Sequence, residues 1–436
     1  MILRRRILEI DLQHRKWTFR PYPDSALQNG LWGRGFNVWQ LLQDLPAPVD
    51  PLGPDNVLIL SCGLLTGTAA ATVSRLHINA LSPLTGLLGS SNIGGAVAER
   101  LSACKIQSII VRGRADRPVF LRITADSVTI EDADALWGLD TRTSQDRVRT
   151  LLDDPGAKIL TIGPAGENKV PYSAILSDLD HCAGRTGMGA VMGAKLLKAI
   201  VVTRPRYVRL RQSSARLFDA NRRYLRRIKA AVEFKFFKQF GGAGYLEWAN
   251  DLGILATRNY RENRFDGLPA IDGRKLKDFV IRSGGCPRCP VQCKARLQMP
   301  PGKRFQGPAS RPEFESMINL GPKCGLADLD DLVYFDNLCN ALGLDTVSAG
   351  TVIAFAMELF DRGVLTPVDT GGLRLAWGDA GIMDTLLRQI AKREGFGKLL
   401  SLGVRKAAQR LGGNAGAYAA HVKGLELSGY HPSHIM

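Results

Sequence analysis

A change of hydrophobic period near the middle of the chain limits its fold more than any other feature. Up to about residue 205, apolar residues come in short runs broken by Gly, Pro and Asn: Ile7-Leu-Glu-Ile-Asp-Leu12, Asn56-Val-Leu-Ile-Leu60, Ser108-Ile-Ile-Val-Arg112, Val119-Phe-Leu-Arg-Ile123 and Lys158-Ile-Leu-Thr-Ile162. Short β-rich runs bounded by turn residues predict strands. From Tyr207 onward apolar residues recur every three or four positions, as in Ser214 to Phe237 and Leu329 to Leu342, which puts one apolar stripe on a helix. The predicted class is therefore α+β, with a sheet-rich first half, a mostly helical second half and a linker near Arg204-Pro-Arg-Tyr207. A length of 436 residues suits two or three cores rather than one.

Composition removes several function classes. The chain is 45% apolar and 23% charged, as expected of a globular protein. Apolar runs such as Lys198-Ala-Ile-Val-Val-Thr203 fall far short of the ~18 residues that cross a bilayer. Arg4, Arg5 and Arg6 are not followed by the apolar stretch and cleavage site of a secretory signal. A cytoplasmic chain with no membrane role is expected. The net charge of +17 could attract nucleic acid, an acidic protein or an anionic cofactor. Its basic residues are dispersed, with short runs such as Arg222-Arg-Tyr-Leu-Arg-Arg227, and no common nucleic-acid module is recognisable. A solvated surface, without nucleic acid, is the expectation.

Several loops demand unusual backbone freedom: Gly33-Arg-Gly35, Cys62-Gly-Leu-Leu-Thr-Gly-Thr68, Ser82-Pro-Leu-Thr-Gly86, Gly89-Ser-Ser-Asn-Ile-Gly-Gly95 and the glycine-rich stretch His181 to Lys195. Such turns can aim backbone N–H groups at an anion, with Thr66, Arg75, Thr85, Asn92 and Arg185 as added donors. Any one of them alone is an ordinary turn. None has the strand, G-x-G-x-x-G and distal acid of a dinucleotide site, or the Lys-Ser/Thr end of a P-loop.

Eight cysteines are too few for a disulfide scaffold, yet three crowd into Gly285-Cys-Pro-Arg-Cys-Pro-Val-Gln-Cys293. A C-x2-C-x3-C spacing lets Cys286, Cys289 and Cys293 share an iron–sulfur cluster or a zinc ion, because soft thiolates neutralise the metal charge. Zinc sites usually show a second ligand pair nearby, and the next cysteine is Cys324. Unliganded core cysteines are the remaining reading. Cys339 falls in an apolar helical pattern, and Cys62, Cys104, Cys182 and Cys324 carry no metal signal.

Taken in order, these phrases resemble the aldehyde ferredoxin oxidoreductase family. Those carrying the resemblance include Gly33-Arg-Gly35, Val49-Asp-Pro-Leu-Gly-Pro-Asp-Asn56, Gly63-Leu-Leu-Thr-Gly67, Ser82-Pro-Leu-Thr-Gly86 with Ser91-Asn-Ile-Gly-Gly95, and Ala183-Gly-Arg-Thr-Gly-Met-Gly-Ala-Val-Met-Gly193. The series continues through Thr257-Arg-Asn259, the cysteine cluster, Pro312-Glu-Phe-Glu-Ser316, Leu338-Cys-Asn-Ala-Leu-Gly-Leu-Asp-Thr346, Ala354-Phe-Ala-Met-Glu-Leu359 and His421-Val-Lys-Gly-Leu-Glu426. The resemblance implies a sheet domain over residues 1–205 that cradles pterin phosphates and a helical domain over 206–420 with the cysteine cluster. Residues 421–436 would be the stub of a further helical domain, largely absent here, that in the family supplies a fourth cluster cysteine and a second pterin-binding aspartate.

The implied cofactors are a tungsten or molybdenum bis-pterin, a [4Fe–4S] cluster on Cys286, Cys289 and Cys293, and Mg2+ between the pterin phosphates. By motif, Arg75, Asn92, Gly94, Ala183 and Arg185 would meet the phosphates or the magnesium. Asp345 would bind pterin ring nitrogens, and Glu313 would accept a proton as an aldehyde hydrate is oxidised. On sequence alone Asp345 reads equally as a helix N-cap and Glu313 as a first-turn helix charge. The resemblance further implies aldehyde oxidation to a carboxylic acid, with electrons passed to ferredoxin or another electron-transfer protein. A separate C-terminal subunit would complete the site, and a homo-oligomer is compatible with this. The alternative is a non-catalytic truncated or split subunit that binds the metal-pterin and needs a separate C-terminal polypeptide.

Overall fold

The computed structural model describes residues 5–45, 48–178, 181–203 and 214–432; the expected linker at Arg204-Pro-Arg-Tyr207 lies outside them. The chain condenses into two compact units. One comprises Met1–Lys169, Ser173–Ala231 and Gly285–Pro290, the other Val170–Tyr172, Val232–Gly284 and Val291–Met436.

The first unit is built on two six-stranded mixed sheets. One contains β1 (Arg6–Asp11), β2 (Lys16–Pro21), β3 (Leu58–Cys62), β4 (Leu76–Leu81), β5 (Leu88–Ile93) and β6 (Ile106–Arg112), in the order β2-β1-β6-β3-β4-β5. The other contains β7 (Val119–Ile123), β8 (Val128–Asp132), β9 (Lys158–Thr161), β10 (Ile175–Ser177), β11 (His181–Ala183) and β12 (Leu197–Val202), in the order β11-β10-β9-β12-β7-β8. Only β1/β6 and β7/β12 run parallel. Because side chains alternate across a strand, neighbouring residues serve different cores. Leu8, Leu58, Leu60, Ile109 and Val111 share a core with Leu121, Ile123, Leu160 and Ile200 of the other sheet. Ile7, Ile59 and Ile110 face the opposite way, against Phe36 and Leu41 of the helix Arg34–Asp44. Each fully buried Leu or Ile here contributes roughly 1.5–3 kcal/mol over exposure. A one-residue slip of register would send each set into the other core, where neither fits.

The second unit is mostly helical, as the three-to-four-residue period predicts. The helix Thr346–Asp361 is buried from Val347 to Leu359, so it is apolar almost all round and lies inside its unit. It can approach the helix Phe314–Leu320 closely because Gly350 has no side chain: a Cβ there would lie 2.1 Å from the Asn319 carbonyl oxygen. A small antiparallel sheet of β13 (Val280–Gly284), β14 (Lys294–Gln298) and β15 (Pro308–Ser310) accompanies the helices. Its strands, interrupted by Arg282, Lys294 and Arg296, carry no apolar run of the kind that marks β3, β6 and β7. The run Ser214 to Phe237 forms two helices rather than one: Ala215–Ala230, which belongs to the first unit, and Val232–Phe240, which belongs to the second, with Ala231 extended at ψ 137°. Among the described residues no helix is long and apolar enough to cross a membrane.

Candidate functional site

In the first unit, the sequence-predicted donors gather around β5. Arg75, just before β4, donates from Nη1 to Asn92 Oδ1 at 2.9 Å, and both side chains are exposed. Asn92 pairs across the sheet with His77, whose imidazole is held below its usual range by burial and then by the nearby Arg34 and Arg75 guanidinium groups. A positive field of that kind suits an anionic ligand. Arg34 belongs to the Gly33-Arg-Gly35 turn, and Gly33 (φ +54°) lets that turn pass His77, where a Cβ would sit 3.2 Å from the ring. Ala183 on β11 and the turn Arg185–Gly187 pack against β5 from the second sheet, and Ser82 Oγ donates to the Thr186 carbonyl at 2.9 Å. Thr66, by contrast, spends its single hydroxyl hydrogen inward on the Val73 carbonyl.

Not every glycine of the 184–193 stretch serves a ligand. A Cβ on Gly189 would lie 2.5 Å from the Ala174 carbonyl oxygen, and one on Gly193 would lie 1.8 Å from that of Gly166. These two let the helix Met188–Ala194 lie against backbone. Gly94 and Gly95 do something different: a Cβ on Gly94 would be 2.9 Å from Cys286 Sγ and one on Gly95 2.7 Å from His181 Cδ2. The Gly95 N–H donates to Cys286 Sγ at 3.3 Å. Thus the tight turn after β5 touches the first cysteine of the cluster and the buried His181, a residue to which sequence reasoning assigned no role.

The cysteine loop is pinned in this unit. Ser74 Oγ donates to the Pro287 carbonyl at 3.0 Å, Cys289 N–H closes a turn onto the Cys286 carbonyl at 3.1 Å, and Arg288 pairs with Glu99 at 2.6 Å. Arg288 Nε and Nη2 are buried without a hydrogen-bond partner. A buried guanidinium edge without acceptors costs free energy, which an anionic group beside Cys286 and Cys289 would recover. Unpaired Arg288 donors beside a turn with no room for Cβ atoms fit an anionic group at this place. Cys286, Cys289 and Cys293 are half-buried and in no disulfide, and among the described residues no three His, Cys, Asp or Glu side chains meet as a metal-ligand set. Cys62, Cys104, Cys324 and Cys339 are core residues; burial pushes the Cys62 and Cys324 thiols up to about 12 and that of Cys104 to about 11, so all three stay protonated and pack as small apolar groups.

Glu313, Asp345 and Cys293 lie in the second unit. Glu313 is the N-cap residue of Phe314–Leu320 but its side chain makes no capping bond. Instead Oε1 accepts from Lys294 Nζ at 2.6 Å, with the carboxylate 44% exposed. The Cys293 carbonyl accepts from Arg311 Nη2 at 2.6 Å; burial lowers the Arg311 guanidinium, while Glu313 and Cys293 pull the other way. Asp345 is buried and caps Thr346–Asp361, accepting from Val347 N at 3.2 Å, Ser348 N at 3.3 Å and Ser348 Oγ at 2.8 Å. The first turns of the Glu313 and Asp345 helices meet where Ser316 Oγ and Thr346 Oγ1 lie 3.0 Å apart. Ser348 Oγ also lies 2.8 Å from Glu426 Oε2, and Glu426 Oε1 accepts from Val404 N at 3.0 Å. This buried glutamate belongs to the His421-Val-Lys-Gly-Leu-Glu426 phrase, so the phrase and the Leu-Asp-Thr phrase meet through one serine hydroxyl.

Two family models match the chain: aldehyde ferredoxin oxidoreductase, N-terminal domain, over residues 7–204, and aldehyde ferredoxin oxidoreductase, domains 2 & 3, over residues 219–436. The chain belongs to the aldehyde ferredoxin oxidoreductase family. It is 33% identical over 432 residues to the tungsten-containing aldehyde ferredoxin oxidoreductase of Pyrococcus abyssi, covering 98% of this chain and 70% of that relative. It is 29% identical over 449 residues to the aliphatic sulfonate oxidoreductase, WOR-like subunit, of Pyrococcus furiosus, with the same two coverages. Among solved structures it is similar to the active site complex BamBC of benzoyl coenzyme A reductase in complex with 1,5 dienoyl-CoA, at a TM-score of 0.87 and 29% identity, covering 98% of this chain and 66% of that one.

Proposed function

We propose that this chain is the pterin- and cluster-binding part of a tungsten-dependent (or molybdenum-dependent) oxidoreductase that oxidises an aldehyde to a carboxylic acid. The observation that carries the reading is that Arg75, Asn92, Gly94, Ala183 and Arg185 gather around β5 within one unit, with Gly94 and Gly95 against Cys286. When bound, a metal bis-pterin supplies two-electron chemistry and a [4Fe–4S] cluster passes the electrons on singly. Arg75, Asn92 and Arg185 would donate to the pterin phosphates, whose oxygens would hold Mg2+, while Gly94 and Gly95 let the turn after β5 lie against Cys286 and His181. Cys286, Cys289 and Cys293 would supply cluster thiolates, and Asp345, already an acceptor at its helix cap, would take hydrogen bonds from the pterin ring. Oxidation of an aldehyde hydrate releases two electrons and two protons; Glu313 would take a proton at its carboxylate, with Lys294 fixing its position. Electrons would leave to ferredoxin or a partner subunit, in keeping with relatives described as a subunit and as part of a complex.

Anaerobic production with tungstate tests this. Metal, pterin, iron and sulfide should co-purify with the folded chain. The double change Asn92→Ala and Arg185→Ala should lower pterin occupancy, since each donor to a charged phosphate is worth ~1.5–3 kcal/mol. Folded protein with neither metal nor pterin would refute the proposal, and unchanged occupancy in the double variant would move the phosphate site elsewhere.

A further inference from the structure

The helix Ala215–Ala230 presents a strongly charged face that the proposed chemistry has not used. Leu217, Asn221, Leu225 and Ile228, spaced four, four and three residues apart, are half-buried and form its inner stripe. Asn221 fastens this side: its Nδ2 donates to the Ala69 carbonyl at 3.0 Å and its Oδ1 accepts from Ala71 N at 2.9 Å, while Tyr224 Oη lies 3.3 Å from Thr72 Oγ1. The outer side carries Arg216, Arg222, Arg223, Arg226, Arg227 and Lys229, all exposed, against a single acid, Asp219, which pairs with Arg223. Phe218 and Tyr224 stand beside them, 50% and 47% exposed.

Nothing in folding requires this arrangement. Arg222/Arg226 and Arg223/Arg227 repeat like charge at four-residue spacing, which disfavours an isolated helix. An acidic partner would remove that repulsion, and arginine set among aromatic rings is the composition of protein-binding hot spots. A membrane fits less well, because the helix turns its apolar stripe inward and offers charge outward.

Position supplies the second argument. The loop that holds the helix through Ala69, Ala71 and Thr72 also holds the cysteine loop through Ser74 and Pro287, and continues into Arg75. Thr72 and Ser74 are two residues apart, at most about 7 Å along the backbone. A partner seated on the outer face would therefore be separated by about one helix diameter, ~10 Å, from the loop that also holds the Cys286–Cys289 turn.

We propose that the outer face of Ala215–Ala230 is the docking surface for a small, acidic one-electron carrier protein of the iron–sulfur class. This rests on the redox reading above and specifies where its electrons leave. Charge brings the carrier in, and the exposed rings provide the contact once it is seated.

The test is binding of an acidic ferredoxin to the full chain, measured calorimetrically at about 50 and about 200 mM salt, for the wild type and for the Arg222→Glu, Arg226→Glu, Arg227→Glu variant. Affinity should fall with salt in the wild type, weaken by about tenfold or more in the variant, and lose most of its salt dependence there. Should the reversed variant fail to fold, Arg222→Gln with Arg227→Gln, which relieves repulsion within the helix, should still weaken binding in the same direction. Unchanged ferredoxin binding in either folded variant overturns the proposal. So does tighter binding of duplex DNA or anionic vesicles that the same substitutions abolish. The redox reading is judged separately: a chain without metal-pterin that still binds ferredoxin through this face refutes the redox centre and keeps the docking surface. A loaded, viologen-reducing chain whose ferredoxin binding ignores the substitutions does the reverse.

Discussion

The Glu313–Lys294 ion pair allows a test of chemistry to be separated from a test of stability. A pair with its carboxylate 44% exposed contributes little to folding, so Glu313→Gln should leave the melting temperature close to that of the wild type. If the carboxylate accepts a proton during turnover, the same change should cost about 10²–10⁴-fold in aldehyde oxidation with metal content intact; activity within a few-fold of wild type would remove Glu313 from that role. Lys195 behaves differently. Its ammonium is buried, donates to the Pro54 and Gly113 carbonyls at 3.2 and 2.9 Å, and has no carboxylate within ion-pair distance among the described contacts. Burial lowers it to about 8, whereas in the unfolded chain it stays protonated to about 10.4. Between those values the unfolded state binds more protons, so this residue makes stability rise with pH through that window. Thermal melts from pH 8 to 10.5 should show wild type gaining relative to Lys195→Met as pH increases; parallel curves would show that Lys195 titrates normally.

At the scale of elements, two kinds of glycine shared one sequence signature. Gly189 and Gly193 look like part of a phosphate loop but let the helix Met188–Ala194 press on neighbouring backbone. Gly193→Ala should destabilise the chain by roughly 2–3 kcal/mol, because the added Cβ must push apart two close-packed segments. Gly416→Ala, where a Cβ meets nothing within 4 Å, should be close to neutral in the same chemical-denaturation experiment. A similar ambiguity attaches to Asp345. Its N-cap geometry was as readable from sequence as its pterin role, and the cap is what the fold displays; its three accepted bonds use most of the roughly four acceptor sites of a carboxylate.

At the scale of the molecule, the cofactor should act as a structural element. A group that binds the folded first unit but not the unfolded chain raises stability by mass action, and here it would also satisfy the buried Arg288 donors. Oxidative loss of the cluster and pterin should therefore lower the melting temperature by several degrees, and Arg288→Met should narrow that difference. An identical melting temperature before and after cofactor loss would show that the cradle is preformed and indifferent to its ligand.

The α+β class and the strands β1, β3, β6, β7 and β9 were legible in the sequence because each depends on local spacing: period two in strands and period three to four in helices. Family membership was legible because many short phrases kept their order. What only the tertiary structure decided were contacts between residues far apart in the chain. No local pattern relates Gly95 to Cys286, Asn221 to Ala71, Ser348 to Glu426 or Lys195 to Gly113, since long-range pairing is set by how sheets and helices pack their apolar faces. The same holds for the partition of the glycine-rich stretch: whether a missing Cβ admits a ligand or a neighbouring backbone depends on what folding brings opposite it.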